Sequence, residues 1–230
     1  MDSLQPQHTN RQYEEDLRAL RGSLLKMGGL AERQIAEAME SLVNRDTPKA
    51  RETIARDAEV NRLDVETDEQ CIRLLALHQP AANDLRFITT GLKITTDLER
   101  IGDNAVNICE RVLELNEEPQ LKPYLDLPRM AAAAQSMLKD SLDAFLRDDA
   151  ELAEEVIAQD DEVDQLNYQM YRELLSYMAE DPHTIPRATR LLFISKYLER
   201  IADHATNIAE MVVYMVKGRT IRHMDKKKHE

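Results

Sequence analysis

The sequence predicts an all-α protein built as two tandem, structurally similar three-helix bundles, six long helices in all. Three observations predict it: a composition of good helix formers, long apolar stripes at three- and four-residue spacing, and one motif that occurs twice. Ala, Leu, Glu, Arg and Met are abundant, while the 230 residues hold only six Gly and no Trp. Aromatic residues make up 4% of the chain, too few to fill the strands of a β-sandwich.

The stripes come in order along the chain. Leu17, Leu20, Leu24, Met27, Ala31, Ile35, Met39 and Leu42 recur at helical spacing and predict a helix over 12–43. Asn44-Arg45-Asp46-Thr47-Pro48 reads as a stop, a cap and a first-turn proline, which opens a second helix over 48–77. Pro80 marks the next break, and a third helix is expected over 82–115. The segment 116–128, with Pro119, Pro123 and Pro128, is the one linker-like stretch. Helices over 129–146, 150–179 and 186–216 follow, the last two separated at Asp181-Pro182. Helices of about thirty residues are about 45 Å long, which suits an elongated bundle. The expected domains are 12–116 and 129–217, with 1–11 and 218–230 as flexible tails.

The motif carries the duplication. Leu98-Glu99-Arg100-Ile101-Gly102-Asp103-Asn104-Ala105-Val106-Asn107-Ile108-Cys109-Glu110 recurs one hundred residues later, from Leu198 to Glu210, with nine of thirteen positions identical. Upstream, the segment 54–63 matches 157–166 at a step of 103. A three-residue change of register belongs in a connection, here the one between the second and third helices of each copy. The first helices of the two copies match only in apolar pattern. Two copies of a three-helix unit, joined at the Pro-rich segment, account for all of this.

Charge and cysteine content narrow the function. A net charge of −13 disfavours nucleic acid and favours cations or basic protein surfaces. Lys226, Lys227 and Lys228 form a small basic end, best explained as a solvated terminus. Cys71 and Cys109 are isolated and define neither a disulfide framework nor a zinc site. The first residues lack the apolar core of a secretory signal, and no apolar run is long enough to span a membrane. A cytoplasmic location is expected.

On a helical wheel Glu99, Asp103, Asn107 and Glu110 fall within about 80° of one another, opposite the apolar stripe of Leu98, Ile101, Ala105 and Ile108. The sixth helix repeats the set with Glu199, Asp203, Asn207 and Glu210. Carboxylates four residues apart repel by about 0.2–0.5 kcal/mol unless a cation lies between them. Oxygen-only donors suit Mg, Mn, Ca or ferric iron better than Zn. The second helices offer another acidic wall in Asp57, Asn61, Asp64 and Asp68, partly repeated by Asp160, Asp164 and Asn167. Glu99, Asp103, Asn107, Glu199, Asp203 and Asn207 are therefore candidate metal ligands, with Asp57, Asp160 and Asp164 as additional ones. The alternative is a solvated helix face whose charges pair locally, Arg100 with Asp103 and Arg200 with Asp203. Recurrence of the same polar residue types in both copies weighs against that alternative.

Other chemistries find less support. His204 has Asn104 as its counterpart, so a symmetric histidine-ligated site is not expected. A ferritin-like di-iron centre needs Glu-x-x-His on two helices, which the chain does not supply. There is neither a P-loop nor a nucleophile elbow. Gly28-Gly29 inside the first helix suggests close packing or a kink.

Asn83-Asp84-Leu85-Arg86, the motif of residues 98–108 and its second copy, 197–208, resemble the PhoU family of phosphate-specific transport system accessory proteins. The resemblance runs from the first helix to about Met215. It implies a non-enzymatic, cytoplasmic adaptor, peripheral to the inner membrane through its partners. The implied partners are the ATPase subunit of a phosphate ABC transporter and a phosphate sensor histidine kinase, with a second copy of the chain in a homodimer. The implied role is negative regulation of the phosphate-starvation (Pho) regulon and of phosphate uptake. Members that bind metal clusters do so through Glu/Asp-x-x-x-Asp, which maps onto Glu99 with Asp103 and Glu199 with Asp203. Metal ions (iron, Mn, Mg or Zn) are thus the implied cofactors. The alternatives are a metal-dependent phosphohydrolase and a metal-storage bundle. Gly102 against Ala202, and the lack of an acidic counterpart to Asp84, set the two copies apart.

Overall fold

A computed structural model describes residues 11–218 of the chain. Six helices run in order: α1 (Arg11–Asn44), α2 (Thr47–His78), α3 (Ala82–Leu115), α4 (Asp126–Arg147), α5 (Ala150–Glu180) and α6 (Ile185–Lys217). Arg11 opens α1 and Gly218 ends α6 in a left-handed conformation, φ 66°. The rest of the tail expectation, residues 1–10 and 219–230 with Lys226, Lys227 and Lys228, lies outside the described residues.

The two copies turn corners with the same device. Arg45 takes φ 54°, and Asp46 then accepts a hydrogen bond from the Lys49 amide at 3.0 Å, capping α2. At a step of 103, Asp148 takes φ 52°, and Asp149 accepts from the amides of Glu151 and Leu152. A left-handed residue ends one helix, and a carboxylate satisfies the orphan amides of the next.

Two starts differ from the sequence expectation. α4 begins at Asp126, ahead of Pro128, because a proline in the first turn forfeits no intrahelical bond. Between α5 and α6 the Asp181-Pro182 break is a 3-10 turn, Pro182–Thr184, capped by Asp181. The Thr184 hydroxyl donates to the Tyr177 and Asp181 carbonyls there.

Within each copy the three helices pack on one another, and the copies meet through α3 against α6 and α1 against α4. The apolar stripes meet in one continuous core. Leu24, Met27, Ala31 and Ile35 of α1 are buried, as are Leu127, Met130, Ala134 and Leu138 at the same register in α4. Each such large side chain stabilises the fold by about 1.5–3 kcal/mol.

The Pro-rich segment is fastened down rather than loose. Arg45 donates to the carbonyls of Leu115, Asn116 and Glu118 at 3.2, 3.0 and 2.6 Å. Lys122 is buried with an ion pair to Glu173 of α5.

The expectation for the glycine pair resolves into two cases. A Cβ on Gly28 would lie 2.2 Å from Leu142 Cδ1 of α4, so this glycine lets α1 approach α4. A Cβ on Gly29 would meet nothing within 4 Å. Gly29→Ala is predicted to stabilise the protein by about 0.5–1 kcal/mol through helix propensity. Gly28→Ala should fall at least about 1 kcal/mol below Gly29→Ala, because overpacking opposes the same gain. Urea unfolding of the two variants checks this, and equal midpoints would contradict the packing assignment.

Candidate functional site

The repeated motif fixes its own orientation through the apolar half of each helix. Leu98, Ile101, Ala105 and Ile108 of α3, and Leu198, Ile201, Ala205 and Ile208 of α6, are fully buried. That places the carboxylates on the flank of each helix. It is not the fully outward face expected from the wheel: the Glu99 side chain is 25% exposed and that of Glu199 13%. A solvated helix face does not describe them. The ion pairs expected to disperse the charge are weak, with Arg100 at 3.6 Å from Glu99 and 3.7 Å from Asp103 on a largely exposed guanidinium.

The flank of α3 meets α2, and that of α6 meets α5. Burial pushes the Glu99 carboxyl above the ordinary range, and repulsion from Asp103, Asp64 and Asp57 adds to it. Burial, then Asp57, does the same to Asp103. In the second copy, burial raises Asp160 to about 6, with further repulsion from Asp203, Asp164 and Glu199. The nearby Thr206 hydroxyl opposes that rise in part. The structure therefore gathers Asp57, Asp64, Glu99 and Asp103 on one side and Asp160, Asp164, Glu199 and Asp203 on the other.

The Gly102/Ala202 difference has a local cause. A Cβ on Gly102 would lie 3.1 Å from Gln34 Oε1 and 3.3 Å from Asp57 Oδ1. The glycine makes room for a buried amide that donates to Asp57 at 3.3 Å, and Asn61 donates to its other oxygen at 2.9 Å. At the register of Gln34 the second copy has Met137, fully buried, and Ala202 fits beneath it. Asp160 has no such amide at this register, and its charged neighbours are Asp203, Asp164 and Glu199.

The candidate amides go elsewhere. Asn107 and Asn207 line a groove of about 510 Å³ between α3 and α6, together with Arg100, Arg200, Asn104 and His204. Asp103 and Asp203 also edge this groove, so each joins two environments. Asn207 donates to Asp97 at 3.4 Å, and His204 Nδ1 lies 2.8 Å from the same carboxylate oxygen. Asp97 was hidden from the sequence reading because its counterpart at a step of one hundred is Tyr197.

As donors for a cation, the clusters fit chemically. They are hard oxygens on adjoining helix flanks, and Glu199 Oε2 is buried without a hydrogen-bond partner while its Oε1 pairs with Lys196. Among the described residues, however, no three carboxylate, imidazole or thiolate groups converge tightly enough to hold one ion as they stand.

Fold and site together define a duplicated helical-bundle protein that carries one acidic flank per copy. The family model of the PhoU domain matches it twice, over residues 24–112 and 127–212. The chain belongs to the PhoU family. It is 40% identical over 222 residues to a phosphate-specific transport system accessory protein PhoU homolog of Pseudomonas putida, covering 96% of this chain and 87% of that protein. It is 37% identical to the accessory protein PhoU of Escherichia coli K12, over 97% of this chain and 93% of that one. Crystal structures of PhoU from Pseudomonas aeruginosa (TM-score 0.87, 40% identity) and of the phosphate transport system regulatory protein PhoU from Streptococcus pneumoniae (0.86, 33%) superpose on it. They cover 90% and 91% of this chain and 100% and 99% of theirs.

The raised Asp160 carboxyl has a defined sign. Its folded-state value, about 6, lies above the ordinary 3.8, so stability falls as pH rises between those values and stays lowered above them. Asp160→Asn is predicted to be more stable than wild type at pH 7.5 by about 1 kcal/mol, discounted for partial exposure, and nearly equal at pH 4. Urea midpoints at both pH values, with chelator present, check it. An advantage independent of pH would contradict it.

Proposed function

We propose that this protein is a non-enzymatic accessory regulator of phosphate transport. In this role it links the ATPase subunit of a phosphate ABC transporter to a sensor histidine kinase and holds the Pho regulon and phosphate uptake down when phosphate is plentiful. The observation that carries the proposal is full-length similarity to proteins named phosphate-specific transport system accessory protein, with the signature motif present in both copies. No described helix is long and apolar enough to cross a membrane, which supports membrane contact through partners only.

Such an adaptor acts by binding one state of a partner better than another. A coupling of about 1–3 kcal/mol switches output about 5- to 150-fold. The net charge of −13 supports docking on basic partner surfaces. A homodimer would present four acidic flanks. Bound iron, Mn, Mg or Zn would neutralise each flank and so tune which partner surface it fits, with Glu99, Asp103, Glu199 and Asp203 as the principal donors and Asp57, Asp160 and Asp164 beside them.

Two measurements test this reading. Deleting the gene should derepress a phosphate-regulon reporter in high phosphate at least about fivefold, with restoration by the wild-type copy. An unchanged reporter would sink the repressive role. Separately, Mn at about 100 times its dissociation constant should stabilise the wild type by about 2.7 kcal/mol. The variant Glu199→Gln with Asp203→Asn should lose the share contributed by the second copy. An equal thermal shift in both proteins would remove these residues as ligands.

A further inference from the structure

Each acidic flank continues along its own pair of helices into an apolar strip, and it does so in both copies. On α3, Asp103, Glu99, Leu92 and Leu85 fall within about 40° of one another at helical spacing. On α2, Asp57, Asp64, Asp68 and Ile72 fall within about 80° on the side that meets α3. The two helices run antiparallel, so acids gather at one end of the flank and aliphatic side chains at the other. From Asp103 to Leu85 the flank extends about 27 Å, five helical turns.

The apolar half repeats in register. Ile72 is 60% exposed and Leu85 42%, while Leu75 and Leu92 are half-buried against the core. At steps of 103 and 100 the second copy has Leu175 at 41% and Ile185 at 45%, with Met178 and Leu192 half-buried. A lone exposed aliphatic residue needs no explanation. Four apolar positions kept in both copies, two of them exposed in each, mark a built surface.

The second copy shows what the acidic half accepts. Lys196 places its ammonium nitrogen 2.5 Å from Glu199 Oε1. At that register the first copy has Thr96, so Glu99 lacks the ammonium and has Arg100 at 3.6 Å, on a largely exposed guanidinium. Asp68, where the second copy has Tyr171, adds a further carboxylate, and its Oδ1 is buried without a hydrogen-bond partner. The first flank is the one short of a cation.

We infer that the α2–α3 flank receives an amphipathic helix of a partner protein. Aliphatic side chains of that helix lie on Ile72, Leu85 and Leu92. A lysine further along the same face takes, over Glu99, the place that Lys196 holds over Glu199. Charge selects this occupant: a second copy of a chain at −13 is a poor match for an acidic flank. The chain's own basic end, residues 226–228, is a single segment, whereas the surface is built twice. The inference rests on the adaptor reading above and not on bound metal.

The probe is a fluorescein-labelled model helix rich in Ala and Gln, with leucines on one face of its first half and lysines on the same face of its second. Titrated with the full-length protein at about 0.15 M salt with chelator present, it should give saturable anisotropy. A scrambled peptide of equal composition should bind at least about tenfold more weakly. Ile72→Ser with Leu85→Ser should weaken binding about tenfold. Thr96→Lys, which installs the pairing of the second copy, should weaken it about two- to fivefold. All three positions are exposed, and circular dichroism checks that the variants fold. The scrambled-peptide comparison on wild-type protein stands in any case.

No saturation up to about 1 mM, equal binding of the scrambled peptide, or binding untouched by these variants overturns the proposal. Sedimentation in which Ile72→Ser with Leu85→Ser dissociates a dimer assigns the surface to a second copy and overturns it too. Peptide binding seen only after removal of residues 219–230 assigns the surface to the chain's own end, with the same consequence. The titration uses no reporter strain, so its failure is distinct from failure of the adaptor reading.

Discussion

The arrangement depends on one constraint: α3 and α6 must each bury an apolar stripe in their own bundle while packing against each other. Leu98, Ile101 and Ile108 on one helix, and Leu198, Ile201 and Ile208 on the other, leave each only a flank for polar groups. Glu99 and Asp103 are thereby pressed toward α2, and Glu199 and Asp203 toward α5. Desolvation follows from packing, and the raised Glu99, Asp103 and Asp160 carboxyls are its electrostatic record. The acidic character of the site is a consequence of where the core lies.

Duplication supplies two such flanks, and small substitutions make them unequal. Gln34 with Gly102 gives Asp57 an amide partner, whereas buried Met137 and Ala202 hold those registers in the second copy. His204, bridged to Asp97, ties the second motif to α3 across the α3–α6 seam, and Asn104 instead donates to the Arg100 carbonyl. The copies therefore differ in the surroundings of each carboxylate set, although their backbones follow one plan.

Much of the fold was legible because it is encoded in periodicity. Six stripes, the Asp46 cap, the Pro48 start and the twice-written motif determine six helices and their order. Contacts between elements distant in sequence were not legible. Nothing in the pattern shows that Arg45 reaches the last carbonyl of α3 and two beyond it, that Lys122 is buried against α5, or that Gly28 admits Leu142. For the site, spacing correctly suggested that α2 and α5 add acids to the flanks. It misplaced Asn107 and Asn207, which turn into the α3–α6 groove, because a helical wheel resolves angle but not the neighbour at that angle. Repetition does not mark Asp97, because Tyr197 stands at its place in the second copy.

We propose that the two carboxylate flanks are where this protein meets cations. Titration of isotope-labelled, full-length protein with trace Mn, followed by paramagnetic broadening of amide signals, tests it directly. The account predicts selective loss of signals around residues 57–64 with 99–103, and around 160–164 with 199–203, with unequal midpoints for the two sets. Broadening spread over the acidic surface at large, or centred on neither flank, would contradict it.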